Sequence, residues 1–574
     1  MALKLKFPWN YQEAMPVKLR GSALVQNPML NKSSAFTADE RVALGLEGLL
    51  PTQVNSIEEQ ARRVYPRIHR IRRALDKYVA LAALQDRNEH LFHRVLWEHL
   101  EEFMPIVYTP TVGLATANFS QVFERGRGLW ITPDMKGRIR DVLQKAVSQR
   151  YIALMVVTDN ESILGIGDQG AGGMAISVGK LALYTACAGI HPASVLPVSL
   201  DVGTNNQKLL DDPLYLGWRH PRLRGHDYEE VLEEFVMTVA ECFPGAVLQW
   251  EDFSKDNALR ILDRFRGRVP SFNDDIQGTG AVALAGIYSA CRVRGDSLKE
   301  QRIVIYGAGA AGLGIYRQIK AGLKLDGADE KSIAEQVVVL DSRGMLVDDR
   351  DIRDEYKRDM AWSVDAAVAI GLDDPGQRGL VEVVAAYKPT VLIGASGQAG
   401  AFGENIIREM ARHTERPVVL PFSNPTAISE AVPRDILAWT DGKALVATGS
   451  PFDAVEYNGR VFEIGQGNNV FIFPGIGLGT LLSKADKVSD AMISVSANAL
   501  ANSMTDEELS RGLLFPAINR LRDVAANVAV AVMQQAAIEG NGDDSLANAS
   551  AEALMSKVRS AMWVPAYTDY IAVE

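Results

Sequence analysis

The chain has few cysteines and no excess of basic residues. Its 574 residues include three cysteines, Cys187, Cys242 and Cys291. Their spacing excludes a CxxC zinc site, and their number excludes the disulfide framework of a small secreted domain. Sixty lysines and arginines against 71 aspartates and glutamates give a net charge of −11, without the clustered basic residues that nucleic-acid binding requires. We therefore expect a reducing compartment and no nucleic-acid partner.

The sequence also lacks long apolar segments. No apolar run approaches the ~18–20 residues of a membrane helix, and the N-terminal MALKLKFPWNYQEAM has no apolar stretch of a signal peptide. We expect no membrane partner and a cytoplasmic location.

The distribution of apolar residues predicts an α/β fold. Residues 1–130 have mostly helical periodicity, with a capping box at Thr37-x-x-Glu40. From about residue 151, continuous Val/Ile/Leu runs end in Gly, Asp or Asn, which is typical of strands buried on both faces of a parallel sheet. The expected strands are Ile152–Thr158, Val195–Leu200, Ala246–Trp250, Arg302–Tyr306, Gln336–Leu340, Thr390–Ile393, Pro417–Phe422 and Ala444–Thr448.

The length predicts several domains, at roughly 100–200 residues per domain. We expect a helical N-terminal domain over 1–130 and a C-terminal tail over 541–574. Between them we expect a parallel-sheet catalytic domain over 131–280, completed by 470–540, and a Rossmann-type dinucleotide-binding domain over 281–469.

The GxGxxG pattern occurs twice, at Gly165–Gly170 and at Gly307–Gly312. Each follows an apolar run and opens a helix, but Asp168 in the first loop would oppose the charge of a pyrophosphate. The second loop has only alanine between its glycines. We therefore assign dinucleotide binding to the second loop, through Gly307, Ala308, Gly309, Ala310, Ala311 and Gly312.

The next strand ends in Asp341, where an acid would hold the ribose hydroxyls. Asp341 favours NAD, whereas the neighbouring Ser342 and Arg343 suit the 2′-phosphate of NADP, so the sequence leaves NAD or NADP open. The spacing of 29 residues from Gly312 to Asp341 predicts an insertion. A further loop at Gly394–Gly400, with Ala395 and Ser396, is expected to contact the cofactor; the alternative is an ordinary strand-to-helix turn.

Acidic residues directly follow two apolar runs, as Glu251-Asp252 and Asp274-Asp275. Because the carboxyl ends of parallel strands face one crevice, these carboxylates are expected to converge. Converging carboxylates repel one another unless a hard divalent cation such as Mg²⁺ or Mn²⁺ lies between them. The alternative is a set of solvated loop acids or helix caps.

Two further side chains are candidates for proton transfer. Lys180 lies in an otherwise small or apolar helix, where partial burial would lower its pKa toward that of a general base. The alternative is a lysine whose ammonium group reaches solvent. Tyr108 follows an amphipathic helix, and its local sequence is more typical of a packed tyrosine than of an acid.

Several motifs follow one another along the chain: Tyr108-Thr-Pro-Thr-Val-Gly113, Ile163-Leu-Gly-Ile-Gly-Asp168, Val178-Gly-Lys180, Asp201-Val-Gly-Thr-Asn205, Glu251-Asp-Phe253, Phe272-Asn-Asp-Asp-Ile-Gln-Gly-Thr279, Phe422-Ser-Asn-Pro-Thr426 and Gly467-Asn-Asn-Val470. Together they resemble the malic enzyme family over about residues 27–540. The segment Asn27–Phe36 near the start is similar to the large-subunit type.

This resemblance implies metal-dependent oxidative decarboxylation of (S)-malate to pyruvate and CO₂ with reduction of NAD or NADP. It implies that Lys180 accepts the C2 hydroxyl proton and that Tyr108 protonates C3, with Asp274 as the partner of Lys180. The remaining roles implied are metal binding by Glu251, Asp252 and Asp275, and substrate binding by Asn424 and Asn469, with Asn424 also at the cofactor. It further implies a homodimer or homotetramer.

One position departs from the family pattern. Malic enzymes usually have arginine within Thr-Asp-Gly-Glu-Arg-Ile-Leu-Gly, where this chain has Ser162, and serine cannot form a charged bidentate contact with a substrate carboxylate. Malolactic enzymes, which convert malate to lactate and CO₂ and retain NAD, also lack this arginine and are the alternative. A more remote alternative is a nucleotide-binding protein without catalytic activity. We expect another cation, Arg219 or Arg222, to replace the missing arginine.

Overall fold

A computed structural model describes residues 14–147, 151–163 and 165–574. Most of the N-terminal segment tested above for a signal peptide, and Leu164 of the motif Ile163–Asp168, lie outside these residues. The strands, in chain order, are β1 Met15–Val17, β2 Leu129–Ile131, β3 Leu154–Thr158, β4 Val195–Leu200, β5 Val247–Glu251, β6 Ser271–Asn273, β7 Ile303–Tyr306, β8 Val337–Asp341, β9 Gly344–Met345, β10 Val391–Gly394, β11 Val418–Pro421, β12 Leu445–Thr448, β13 Val455–Tyr457, β14 Arg460–Phe462, β15 Gly465–Gln466 and β16 Tyr570–Ala572.

The α-helices fall into longer and shorter ones. Those of ten residues or more are α1 Ile57–His69, α2 Ala74–Gln85, α3 Glu89–Glu98, α4 Met174–Ala188, α5 Gly225–Cys242, α6 Lys255–Phe265, α7 Thr279–Arg294, α8 Ala310–Leu325, α9 Glu404–His413, α10 Phe473–Ser483, α11 Asp490–Asn502, α12 Leu521–Ile538 and α13 Ala551–Ala561. The shorter ones are Gly21–Val25, Ala38–Ala43, Leu100–Val107, Thr111–Ala117, Phe119–Val122, Ile139–Val147, Gln207–Asp211, Glu330–Gln336, Glu355–Arg358, Val364–Ala369, Leu380–Tyr387, Pro433–Trp439 and Asp506–Ser510.

The chain divides into two compact units. The first contains the residues up to Ser271 together with Leu481–Lys487 and Ala549–Glu574, and the second contains Phe272–Thr480 and Val488–Asn548. The boundary falls within β6, the last strand of the first sheet. The domain limits expected from the sequence stay predictions.

The first unit is built on a parallel sheet with strand order β2-β4-β3-β5-β6. Each residue of β3, β4 and β5 is buried, because helices cover the sheet and leave the strands no solvent-facing side. Helix α4 packs against β3 and β4. The expected capping box is confirmed: the Thr37 hydroxyl accepts from the Glu40 amide, and the Glu40 carboxylate accepts from the Thr37 amide.

The second unit is built on a sheet with strand order β15-β12-β11-β10-β7-β8-β9, in which β9 alone runs antiparallel to its neighbour.

All eight strands expected from the sequence are present, with ends within two residues of the expected ones. The strands that were not predicted have only two or three residues each and are β1, β2, β9, β13, β14, β15 and β16. Such short strands contain too few residues to form a recognisable apolar run.

The expectation that no segment is long and apolar enough to cross a membrane is wrong. Gly170–Ala188 meets that description by length and composition, and 94% of it is buried inside the structure. The segment is a short 3₁₀ turn followed by α4, and in this structure it is a core helix against the first sheet.

The aromatic C-terminal tail packs against helix α3 of the same chain. The His90 ring lies 5.5 Å from Trp563 and 5.6 Å from Tyr567, between ring centroids, and the Asn88 side chain donates to the Tyr567 hydroxyl at 2.7 Å. Burial lowers the pKa of His90 to about 4. Nearby His93 and Lys32 also lower this pKa, whereas the Glu89 carboxylate raises it. His90 is therefore neutral near pH 7.

This neutral histidine predicts a pH-dependent loss of stability. A histidine whose pKa is lower in the folded than in the unfolded state stabilises the fold above about pH 6.5, and that contribution is lost as pH falls toward 4. Between pH 7 and pH 5, His90 is expected to lower the free energy of unfolding by about 2 kcal/mol. We expect His90→Phe, which keeps the aromatic packing, to lack this decrease. Urea denaturation at pH 7 and at pH 5 measures the free energy of unfolding of each protein. His226→Phe on an exposed surface is the control, and equal pH dependence in both variants would contradict the role of His90.

Candidate active site

Helix α4 and strand β5 place a lysine and a glutamate in direct contact. The Lys180 Nζ lies 2.6 Å from Glu251 Oε1, and the two residues are 1% and 3% exposed. A buried ammonium group is costly unless it is paired with an opposite charge. Glu251 supplies that charge, so the alternative of a solvent-reaching lysine is wrong.

Two buried polar side chains support Glu251 from behind. Tyr184, one helical turn after Lys180, donates its hydroxyl proton to Gln249 Oε1, and Gln249 Nε2 donates to Glu251 Oε2 at 2.9 Å. Lys180 and Tyr184 share a helix face because they are four residues apart, and Gln249 and Glu251 share a strand face because they are two apart. This relay of hydrogen bonds, from Tyr184 through Gln249 to Glu251, was not predicted from the sequence, although both spacings are visible there.

Three carboxylates meet at the carboxyl end of the first sheet. One oxygen from each of Glu251, Asp252 and Asp275 lies within 4.8 Å of the others. Successive strand residues normally point to opposite faces, but Asp252 has φ +57°, so the alternation ends there. Such a conformation is tolerated by aspartate. Three of the four carboxylates expected to converge therefore do so, without Asp274. Their all-oxygen donor set suits Mg²⁺ or Mn²⁺.

Tyr108 lies beside the lysine. It ends the helix Leu100–Val107 and is 9% exposed, and the Lys180 Nζ is 5.5 Å from the centre of its ring. The tyrosine is packed, as its local sequence indicated, but its place next to a buried cation also makes it available for proton transfer.

In the second unit, the turn after β6 brings Asp274 and Asn469 together. Asn469 Nδ2 donates to Asp274 Oδ2 at 3.0 Å and to Thr279 Oγ1 at 3.1 Å. A Cβ on Gly278 would lie 2.0 Å from Asp274 Oδ1, so this position requires glycine. The partnership of Asp274 with Lys180 stays a prediction.

The first glycine loop is held by an ion pair. Arg222 donates from Nε and Nη2 to the two oxygens of Asp168, at 3.0 and 2.7 Å, and from Nη1 to the Asp159 carbonyl oxygen at 2.7 Å. Burial alone would raise the pKa of Asp168, but Arg222 and the hydrogen bonds from Asn205 and Thr204 lower it. The loop thus carries an ionised carboxylate, consistent with its exclusion as a pyrophosphate site.

Both arginines expected to replace the family arginine are bound to other groups of the chain, and the replacement stays a prediction. Each nitrogen of the Arg222 guanidinium already donates to Asp168 or Asp159, and Arg219 Nη2 donates to the carbonyl oxygens of Asp212 and Tyr215. Ser162 itself is exposed, and its amide donates to the Asp252 carbonyl oxygen at 2.9 Å.

The second glycine loop has the geometry of a dinucleotide site. Gly307 has φ +125°, and a Cβ there would lie 2.2 Å from the Ala395 oxygen. A Cβ on Gly312 would lie 1.8 Å from the Gly307 oxygen, whereas a Cβ on Gly309 meets no atom within 4 Å. Helix α8 begins directly after Gly309. Open space at a helix N-terminus with no opposing acid suits a pyrophosphate.

Asp341 at the end of β8 is held by two cations. Its Oδ2 accepts from Arg350 Nη2 at 2.6 Å and from Lys357 Nζ at 3.1 Å, and its Oδ1 accepts from the Arg343 amide at 2.9 Å. Burial acts to raise the pKa of Asp341, but these partners lower it to about 2. The extra helix Glu330–Gln336 accounts for the long spacing from Gly312.

Two further loops, whose contact with the cofactor stays a prediction, follow β10 and β11. Ala395 and Ser396 lie in the first loop, directly against Gly307, and Asn424 lies in the second, where its Oδ1 accepts from the Ser450 hydroxyl at 2.9 Å. Their position at the carboxyl edge of the same sheet fits a dinucleotide, although an ordinary turn would share it.

Comparisons with known proteins agree with this geometry. Residues 85–266 match the family model of the malic enzyme N-terminal domain, and residues 276–537 match that of the malic enzyme NAD binding domain. The chain is 45% identical over 561 residues to the NAD-dependent malic enzyme of Aliivibrio fischeri, covering 98% of this chain and 99% of that one. It is 45% identical over 550 residues to that of Pseudomonas aeruginosa, covering 96% and 97%.

Solved structures show the same fold. The malic enzyme of Entamoeba histolytica has a TM-score of 0.55 at 22% identity, covering 92% of this chain and 93% of that one. The malic enzyme of Pyrococcus horikoshii has a TM-score of 0.53 at 23% identity, covering 80% and 89%.

The relay behind Glu251 predicts an indirect effect on metal affinity. Gln249→Leu removes the carboxamide that orients Glu251, and we expect the dissociation constant for Mn²⁺ to rise about 10–100-fold. Tyr184→Phe is expected to have a smaller effect in the same direction, and Gln207→Leu, on an exposed helix, none. Calorimetric titration with Mn²⁺ measures the dissociation constant of each variant. An unchanged affinity in Gln249→Leu, with lowered thermal stability, would show that the relay is only structural.

Proposed function

The chain belongs to the malic enzyme family, and we propose that it catalyses the oxidative decarboxylation of (S)-malate to pyruvate and CO₂ with reduction of NAD. The observation that carries this proposal is the buried Lys180–Glu251 pair beside three converging carboxylates. This arrangement supports a base next to a cation site, which the oxidation of a hydroxy acid chelated by a divalent ion would require.

We assign the two proton transfers to Lys180 and Tyr108. Lys180, once deprotonated, accepts the proton of the malate C2 hydroxyl as hydride leaves C2. Tyr108 then protonates C3 of the enolate that remains after CO₂ has left. The 5.5 Å separation between the lysine nitrogen and the tyrosine ring supports this assignment, because both groups can then reach neighbouring carbons of one four-carbon substrate. Asp274 is proposed to keep Lys180 poised between its protonation states.

Glu251, Asp252 and Asp275 are the residues that would hold Mg²⁺ or Mn²⁺. When bound, such an ion would supply Lewis-acid chemistry, which would withdraw electrons during C–C cleavage and stabilise the enolate. The support for these ligands is their oxygen donor set and mutual distances. Asn424 and Asn469 are proposed to bind substrate; Ser162 lies next to Asp252 through its backbone but adds no charge.

The cofactor is proposed to bind along the carboxyl edge of the second sheet, and we propose NAD rather than NADP. Arg350 and Lys357, which could hold a 2′-phosphate, are both bound by Asp341, and an acid at this position binds the ribose hydroxyls of NAD. The residues assigned to the cofactor are Gly307, Ala308, Gly309, Ala310, Ala311, Gly312, Asp341, Ser342, Arg343, Ala395, Ser396 and Asn424.

The malolactic alternative is not favoured. Its support is the serine at position 162, whereas the relatives at 45% identity are NAD-dependent malic enzymes over nearly their full length. We further propose a homodimer or homotetramer and a cytoplasmic location.

The reaction predicts a simple product balance. With malate, Mn²⁺ and NAD, we expect equal amounts of pyruvate and NADH, and with NADP a kcat/KM at least about tenfold lower because of Asp341. Absorbance at 340 nm and product chromatography measure both. Stoichiometric lactate without accumulated NADH would instead identify a malolactic enzyme.

The proton-transfer assignments predict distinct losses. We expect Lys180→Ala and Tyr108→Phe each to lower kcat about 10²–10⁴-fold, while Lys208→Ala, on an exposed helix, has no effect. Exchange of the pyruvate C3 protons with deuterated water, followed by NMR, should be lost in Tyr108→Phe. Exchange at the native rate in that variant would assign the C3 proton donor to another group.

A further inference from the structure

Glu430 is a buried carboxylate that joins two loops of the second unit. It is 0% exposed. Its Oε1 accepts from both the amide and the hydroxyl of Ser396, at 2.8 Å each. The Ser423 hydroxyl donates to the same oxygen at 2.5 Å, and the Ser423 amide donates to Oε2 at 3.3 Å. Ser396 and Ser423 follow strands β10 and β11, so one side chain fixes both loops.

The hydrogen bonds indicate an ionised carboxylate. A backbone N–H can only donate, and Glu430 receives one such bond on each of its two oxygens. The two serine hydroxyls also accept from the amides of Gln398 and Gly397, which leaves their protons directed at Glu430. Among residues 14–147, 151–163 and 165–574, no lysine, arginine or histidine forms an ion pair with Glu430. Its negative charge is therefore stabilised only by neutral donors.

Close packing joins the pyrophosphate loop to the same assembly. A Cβ on Gly394 would lie 2.4 Å from the Glu430 carboxyl carbon, and a Cβ on Gly307 would lie 2.2 Å from the Ala395 oxygen. The glycines at both positions allow the three loops to stack directly on one another. Any displacement of Glu430 therefore displaces the backbone against which the cofactor is proposed to bind.

The strand order shows which half of the cofactor faces this charge. Asp341 ends β8, and the pyrophosphate loop follows β7, the next strand in the order β11-β10-β7-β8. A dinucleotide lies across the carboxyl ends of the strands. With its adenosine ribose at β8 and its pyrophosphate at β7, the nicotinamide half must extend over the loops after β10 and β11, which are the loops that Glu430 joins.

We propose that Glu430 is a positioning residue for the nicotinamide loops and that its unpaired charge makes the site prefer NAD⁺ over NADH. The inference rests on the proposed function. The nicotinamide ring is positively charged in NAD⁺ and neutral in NADH, so a nearby buried carboxylate attracts the oxidised ring alone. The same charge promotes release of the reduced cofactor after hydride transfer.

The test compares the dissociation constants of NAD⁺ and NADH, measured by calorimetry and by NADH fluorescence without malate. Glu430→Gln keeps the size of the side chain but removes its charge, and we expect it to weaken NAD⁺ about tenfold more than NADH. Glu430→Asp keeps the charge but shortens the reach to the loops, so it should weaken both cofactors by similar factors. Glu404→Gln, at an exposed site in the same unit, is the matched control and should change neither.

Equal affinities in Glu430→Gln and wild type, or equal weakening of both cofactors in Glu430→Gln, would overturn the proposed preference. If Glu430→Gln does not fold, Ser423→Ala tests the positioning: both dissociation constants should rise at least about threefold with their ratio unchanged, and unchanged constants overturn the proposal. A wild-type chain that binds neither cofactor would contradict the proposed function itself.

Discussion

The active site depends on the convergence of carboxylates at the carboxyl edge of a parallel sheet. Glu251 and Asp252 end one strand and Asp275 follows its neighbour, so the sheet brings three like charges within 4.8 Å. Their repulsion would oppose folding unless cations compensate for it. Lys180 supplies one positive charge at 2.6 Å from Glu251, and a divalent ion would supply the remainder. The same electrostatic requirement therefore links the proposed base, Lys180, to the proposed metal site.

Local charge also explains why two similar glycine motifs have different predicted roles. Asp168 in the first loop is ionised and bound by Arg222, and this pair fixes the loop that leads into the lysine helix. The second loop has no acid between its glycines and has open space at Gly309. The backbone pattern is common to both loops, and the local charge distinguishes the anion site from the substrate site.

Much of the fold could be predicted because buried parallel strands are continuous apolar runs. All eight expected strands are present, and the expected acids, Lys180 and Tyr108 lie at the strand ends or beside them. Gln249 and Glu430 were missed because a single buried polar residue within or after a strand resembles ordinary polar sequence. Their roles arise from partners far along the chain, such as Tyr184 for Gln249 and Ser396 for Glu430. The ion pair of Arg222 could not be predicted for the same reason, since its partner Asp168 is 54 residues away.

We propose that the carboxylate cluster of Glu251, Asp252 and Asp275 is a metal site required for turnover. Electron paramagnetic resonance of chelator-treated protein titrated with Mn²⁺ reports directly on this site. We expect one tightly bound Mn²⁺ per chain, absent in Asp252→Asn and Asp275→Asn, with malate-dependent NAD reduction appearing in proportion to bound metal. Full NAD reduction in metal-free protein, or wild-type protein that binds no Mn²⁺, would contradict it.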